Sequence, residues 1–117
     1  MAKLKICNDF AQGDAFFIKI SHVPVEDVTG DTFEFIMKDN ESDAAPGLHI
    51  TYTPGTNPDD DETNGIIYIP VTSVLTDALL AGRYHGVIRK TSDGLPLTIL
   101  RTGRDDVDHI RVFRKLD

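Results

Sequence analysis

Residues 64–113 constrain the fold most, because their apolar positions keep a period of two, leave it once, and are cut by turn residues at short intervals. Ile67, Ile69 and Val71 alternate with Ile66, Tyr68 and Pro70, the pattern of a half-buried strand. The period then changes over residues 72–80. Val74, Leu75, Ala78 and Leu79 fall at helical spacings, with polar Thr76 and Asp77 between them. Gly82 is expected to stop that helical turn, since glycine reaches the left-handed conformation at little cost. A strand restarts over 83–90 with Tyr84 and Ile88 on one face, and Ser92-Asp93-Gly94 supplies a tight hairpin turn. Residues 95–102 return, 103–106 turn again, and 107–113 form a last strand. The stretch is a meander and holds no catalytic motif.

The first half uses the same grammar. Leu4 and Ile6 suggest a short strand in an N-terminal arm, residues 1–12. Gly13-Asp14 leads into a strand with Phe16, Ile18 and Ile20 on one face and Phe17 and Lys19 on the other. Gly30-Asp31 leads into another, with Phe33, Phe35 and Met37 facing in. Leu48, Ile50 and Tyr52 alternate with His49, Thr51 and Thr53. Residues 38–47 are a loop by composition. Residues 54–64 are polar and acidic and offer little to bury, so a mobile surface loop is expected. One domain of 13–117 results, with about seven strands and one short helical turn. Such a pattern predicts an all-β, immunoglobulin-like antiparallel β-sandwich. Its expected core is Phe16, Ile18, Phe33, Phe35, Ile50, Ile67, Ile69, Tyr84, Ile88, Ile99, Ile110 and Val112. Tyr84, at the start of a strand after a helical turn, sits where immunoglobulin folds place a tyrosine that bonds back to upstream backbone. Gly86 leaves space on the same face for Phe33 or Phe35.

Composition narrows the function classes. A chain of 117 residues buries roughly two-thirds of its unfolded surface, enough for a core without metal or disulfide. The formal charge of −7 argues against a general affinity for nucleic acid or anionic membrane, which want a basic face. Arg101, Arg104, Arg111, Arg114 and Lys115 nonetheless make a local basic cluster near the C-terminus. Cys7 is the single cysteine, either a small buried hydrophobe or an exposed thiol, so no internal disulfide forms. No signal peptide follows Met1, and no apolar run reaches membrane-spanning length. Synthesis in a cytoplasm without export is expected.

Three pieces carry a resemblance: GDAFFIKI, then PVEDVTGDTFEFIMKD, then NGIIYIPVTSVLTDALLAGRYHGVIRKTSDGLPLTILRTG. Gly13-Asp14, Pro24-Val25, Val28-Thr29-Gly30, residues 79–84 and Asp93-Gly94 fit one pattern. It resembles that of the immunoglobulin-like β-sandwich modules of tailed-bacteriophage virion proteins, of the kind found as N-terminal domains of baseplate and tail-fibre proteins. The match covers most of the chain after Gln12; the insert of residues 54–63 is longer and more acidic than the pattern, and residues 1–12 lie outside it. The resemblance implies a non-enzymatic structural component of a phage particle, in the tail, baseplate, fibre attachment or capsid surface. It would be made in the host cytoplasm and assembled into the virion. Its partners would be other virion proteins and copies of itself. The apolar residues Leu4, Ile6, Phe10 and outward Phe17 are the expected interface; the alternative for the arm is an extra strand on its own sheet.

Site chemistry offers little beside this. Asp59-Asp60-Asp61-Glu62 is dense in oxygen ligands but lacks the alternating spacing of an EF-hand, so it reads as a solvated loop. Asp105, Asp106 and Asp108 read as turn residues. His22, His49, His85 and His109 stand singly, with His49 and His85 on outward faces, and no zinc spacing exists. No Walker loop, dinucleotide fingerprint or nucleophile elbow is present. No catalytic residue, metal ligand or cofactor is expected. The alternative function is a carbohydrate-binding or adhesion-type β-sandwich that reads a host-surface glycan. With no Trp, Tyr52, Tyr68 and Phe17 would supply its stacking surface.

Overall fold

The computed structural model describes residues 6–22, 25–38, 47–101 and 109–115, the side chains of 100 and 101 excepted. The described chain runs β1 (Phe10–Ala11), β2 (Phe16–Ser21), β3 (Thr32–Lys38), β4 (Leu48–Tyr52), β5 (Ile66–Val71), α1 (Ser73–Asp77), β6 (Gly82–Ser92), β7 (Leu95–Arg101) and β8 (Ile110–Phe113). A short 3-10 turn, Glu62–Asn64, precedes β5. The protein is an all-β sandwich.

Its larger sheet has the order β1-β8-β6-β3-β4, and β7 also pairs with β6. Strand β6 is long enough to hold two neighbours end to end on one side. Gly82, Arg83 and Tyr84 pair with β8. Val87 to Ser92 pair with β7, with one irregularity between Ile88 and Arg89. The second sheet is β2 against β5. This is the immunoglobulin arrangement, with strands B and E (β2, β5) facing C′, C, F and G (β4, β3, β6 and the β7–β8 pair). One pairing departs from the antiparallel expectation, since β1 runs parallel to β8.

Alternation decides which side chains meet between the sheets. Phe33, Phe35, Ile67 and Ile69 are fully buried, and Ile18, Tyr84, Ile88, Ile110 and Val112 nearly so. Phe16, Ile50 and Ile99 are partly buried and pack against them. The core also takes in Val28, Met37, Leu48 and Val71. Tyr84 makes the expected corner, its hydroxyl donating to the Leu80 carbonyl at 2.6 Å. Across from Gly86 in the sheet stands Met37, not Phe33 or Phe35.

The turn residues do what their chemistry allows. Asp93 and Gly94 both adopt positive φ, 52° and 78°, the requirement of the two-residue hairpin turn whose twist matches the strands. Gly82 has a different role from the one expected. The helical turn already ends at Asp77, with Ala78 still right-handed as its cap. Gly82 comes later and begins β6. The turn over residues 103–106 and the start of the last strand lie outside the described residues.

Candidate interaction surface

A two-stranded sheet has two edges, and the backbone of each has to find partners or face water. In β5 the edge is closed. Ile66 and Asp61 exchange backbone hydrogen bonds, N–H to C=O, at 3.0 and 2.8 Å. The Tyr68 N–H donates to the Asp60 carboxylate at 2.8 Å. Pro70, next on that side, has no N–H to satisfy.

Asp60 is the hub of this closure. Its other oxygen accepts from the Gly55 N–H at 2.9 Å and from the Tyr52 hydroxyl. The Tyr52 oxygen in turn accepts from the Asn57 N–H at 2.9 Å. Burial and the bond to Asp60 push the Tyr52 phenol up to about 12. Residues 54–64, expected from composition to be a mobile surface loop, fold around one buried tyrosine and one carboxylate. Asp61 accepts from Thr63 and Asn64. Asp59 and Asp61 are exposed. Among the described residues no group of three or more His, Cys, Asp or Glu is placed to hold a metal ion.

The outer edge of β2 is different. The His22 N–H donates to the Gly65 carbonyl, so even-numbered residues of β2 bond toward β5. Phe17, Lys19 and Ser21 therefore direct their backbone groups outward, where no strand pairs with them among the described residues. Beside this edge runs a groove of about 440 Å³ lined by Ile6, Cys7, Phe10, Phe17 and Lys19 together with the polar Asn8, Asp9 and Asp14. Phe17 is 61% exposed and stands opposite Pro70, with Tyr68 diagonal to it. The Lys19 ammonium lies 5.9 Å from the Tyr68 ring, a cation–π distance.

The four residues expected at an interface are thus separated. Ile6 and Phe10 pack into the chain's own core, 7% and 5% exposed, and Phe10 joins β1. Leu4 lies outside the described residues. Of the three that are described, Phe17 alone presents apolar surface. Cys7 is partly buried at the groove wall, and burial with the nearby Asp9 charge pushes its thiol up to about 12.

The other candidates also scatter. His49 bonds Glu34 at 2.6 Å on the outer face. His22 donates through Nδ1 to the Gly65 carbonyl. His85 and His109 meet edge to face at 4.6 Å between centroids. Of the glycan-stacking candidates, Phe17 and Tyr68 share a face while Tyr52 is only 4% exposed. Lys115 pairs with Asp77 at 2.8 Å, and Arg104 lies outside the described residues.

Two features escaped the sequence reading. Lys90 is buried on the inward face of β6, its ammonium 2.8 Å from Glu26 and 3.9 Å from Asp31, and it holds the Glu26 carboxyl below its usual range. Its alternation with Tyr84, Gly86 and Ile88 was the available signal. Arg83 and Arg111 are cross-strand neighbours, which only the register reveals. No helix among the described residues is long and apolar enough to cross a membrane. Compared with protein-family models, with curated proteins and with solved structures, the chain matches none.

Proposed function

We propose that this protein is a non-enzymatic structural module of a tailed-phage particle that works through protein–protein contacts. The observation that carries the contact role is the edge of β2, which no strand pairs with among the described residues. Unpaired strand edges accept a further strand, main-chain hydrogen bonds giving affinity and neighbouring side chains giving selectivity. Here the edge is flanked by exposed Phe17 and a groove that mixes apolar residues with Asn8, Asp9, Asp14 and Lys19. Lys19 in the middle of the edge blunts indiscriminate pairing and favours a partner with an acidic or polar residue opposite. The phage setting is supported by the resemblance of the strand and turn pattern, and the immunoglobulin-like sandwich accords with it.

Mass spectrometry of purified particles is the test. The chain is expected in multiple copies per particle, and Phe17→Asp is expected to lower that number. Its absence from particles sinks the assignment. The carbohydrate-binding alternative has one observation in its favour, the shared face of Phe17 and Tyr68. Against it, Tyr52 is buried and the Tyr68 ring already carries a lysine. A glycan array read with Phe17→Ala beside the natural chain separates the two.

A further inference from the structure

Strands β6 and β8 set Arg83 directly opposite Arg111. Both point away from the core, because their neighbours Tyr84, Ile110 and Val112 are buried. Like charges directly opposite on a sheet repel. Neither guanidinium has a carboxylate within ion-pair distance among the described residues. Asp9, just before β1, uses one carboxylate oxygen to accept the Arg111 backbone N–H at 3.1 Å. Arg111 lies 5.8 Å over the ring of Phe113, which is 47% exposed on the same face. In a chain with 19 acidic residues against 12 lysines and arginines, two adjacent arginines stand without a paired carboxylate among the described residues. An exposed aromatic beside a guanidinium fork is a frequent anchor of protein interfaces.

The complementary charge is at the other end. Of the acids in residues 59–62, Asp60 is turned inward with both oxygens engaged, whereas Asp59 and Asp61 are exposed beside exposed Pro58, Asp61 also accepting from its neighbours Thr63 and Asn64. Tyr52, where this loop begins, pairs with Phe33, and Phe33 pairs with Lys90. Lys90 lies seven residues along β6 from Arg83, roughly 23 Å at the rise of a strand. One copy therefore cannot bring its own acidic loop to its own arginines.

We infer that copies of this chain join head to tail, with Asp59 and Asp61 of one copy on Arg83 and Arg111 of the next and Pro58 against Phe113. Two different patches meet, so the contact is heterologous and repeats into a ring or a filament. The inference names the partner in the assembly reading above and rests on it for its setting, but the association belongs to the isolated chain.

Sedimentation velocity tests it. At about 0.02 M salt the sedimentation coefficient is expected to rise with protein concentration, and at about 0.5 M salt the rise is expected to vanish as the charges are screened. Arg83→Gln/Arg111→Gln and Asp59→Asn/Asp61→Asn should each be monomeric alone, with circular dichroism spectra unchanged. Mixed one to one, they retain one good junction between them, so the mixture is expected to form dimers and nothing larger. A natural chain that stays monomeric at low salt overturns the inference. So does association of either variant alone, a mixture that stays monomeric, or one that grows past dimers. Absence from particles would remove the phage assignment and leave this association standing; a monomer would remove the association and leave the assignment to the particle analysis.

Discussion

Asp60→Asn is the sharpest perturbation of the loop that closes β5. The change keeps the side chain's shape and removes one acceptor. Three donors converge on the native carboxylate: the Tyr68 N–H on one oxygen, the Gly55 N–H and the Tyr52 hydroxyl on the other. An amide has one oxygen and one NH2. If the NH2 takes the first oxygen's place it faces the Tyr68 N–H; if the second, it faces the Gly55 N–H. Either way a backbone donor is stranded, at a cost of about 1–3 kcal/mol. The surviving bonds also lose the charge that roughly doubles their strength. A loss of about 2–3 kcal/mol is expected, which at ~4 °C per kcal/mol for a domain of this length lowers Tm by about 8–12 °C. Urea denaturation followed by circular dichroism reads it. Tyr52→Phe alone should cost about 1 kcal/mol, and the double variant about 1 kcal/mol less than the sum of the two. A change under about 0.5 kcal/mol for Asp60→Asn, or strict additivity, would refute the reasoning.

The same pair sets an alkaline limit. Burial first, then the bond to Asp60, raises the Tyr52 phenol to about 12 in the folded chain. An unfolded tyrosine ionises near 10. Between those values the native state still holds its proton while the unfolded state has released one. Stability from this group is therefore intact below about pH 10 and is lost as pH rises toward 12. The difference between the natural chain and Tyr52→Phe over that window isolates the group, and no difference there would contradict the assignment.

Phe35→Ala removes a fully buried ring at the centre of β3 and should cost about 3–5 kcal/mol by denaturation; a loss under about 1 kcal/mol would put the ring on the wrong face. Tyr84→Phe deletes the corner bond to Leu80 and should cost about 1 kcal/mol, and unchanged stability would mean the corner is ornamental to folding. The Cys7 thiol, raised to about 12, should react with iodoacetamide at pH 8 far more slowly in the native chain than in urea; equal rates would contradict its burial.

Where a residue's surroundings are set by its own strand, the sequence was informative. Phe33, Phe35 and Met37 announce the inward face of β3 by alternation alone, and Asp93-Gly94 announces its turn because few other pairs tolerate two positive φ angles. Tyr84 was legible because a helical turn followed by a strand is a corner in this class of sandwich. What depends on how distant segments align was not legible. Asp59, Asp60 and Asp61 are alike in sequence, and only the approach of the loop to Tyr68 makes the middle one a hub. Composition marks this loop by its lack of apolar residues and does not reveal a carboxylate that collects backbone donors. The arm's apolar residues read equally as an interface or as an added strand. The structure places Ile6 and Phe10 in the core, with β1 added in parallel to β8 at the edge of the larger sheet.

The two edges of the small sheet lead to a last expectation. Strand β5 is sealed by Asp61, by Asp60 and by a proline that has no N–H to offer, while among the described residues no strand pairs with the outer edge of β2 beside Phe17. A two-stranded sheet with one open edge can pair there in one way; one with two can propagate. Asp60→Ala removes the acceptor for Tyr68 and loosens the loop that covers the rest of β5, so it creates the second edge. It should then aggregate at temperatures below its own unfolding midpoint, as followed by light scattering and thioflavin fluorescence. Phe35→Ala, comparable in stability loss but with β5 still sealed, serves as the control and should aggregate only as it unfolds. If both variants aggregate at the same distance below their midpoints, stability alone governs the outcome, and the sealing of β5 by Asp60 has no protective role.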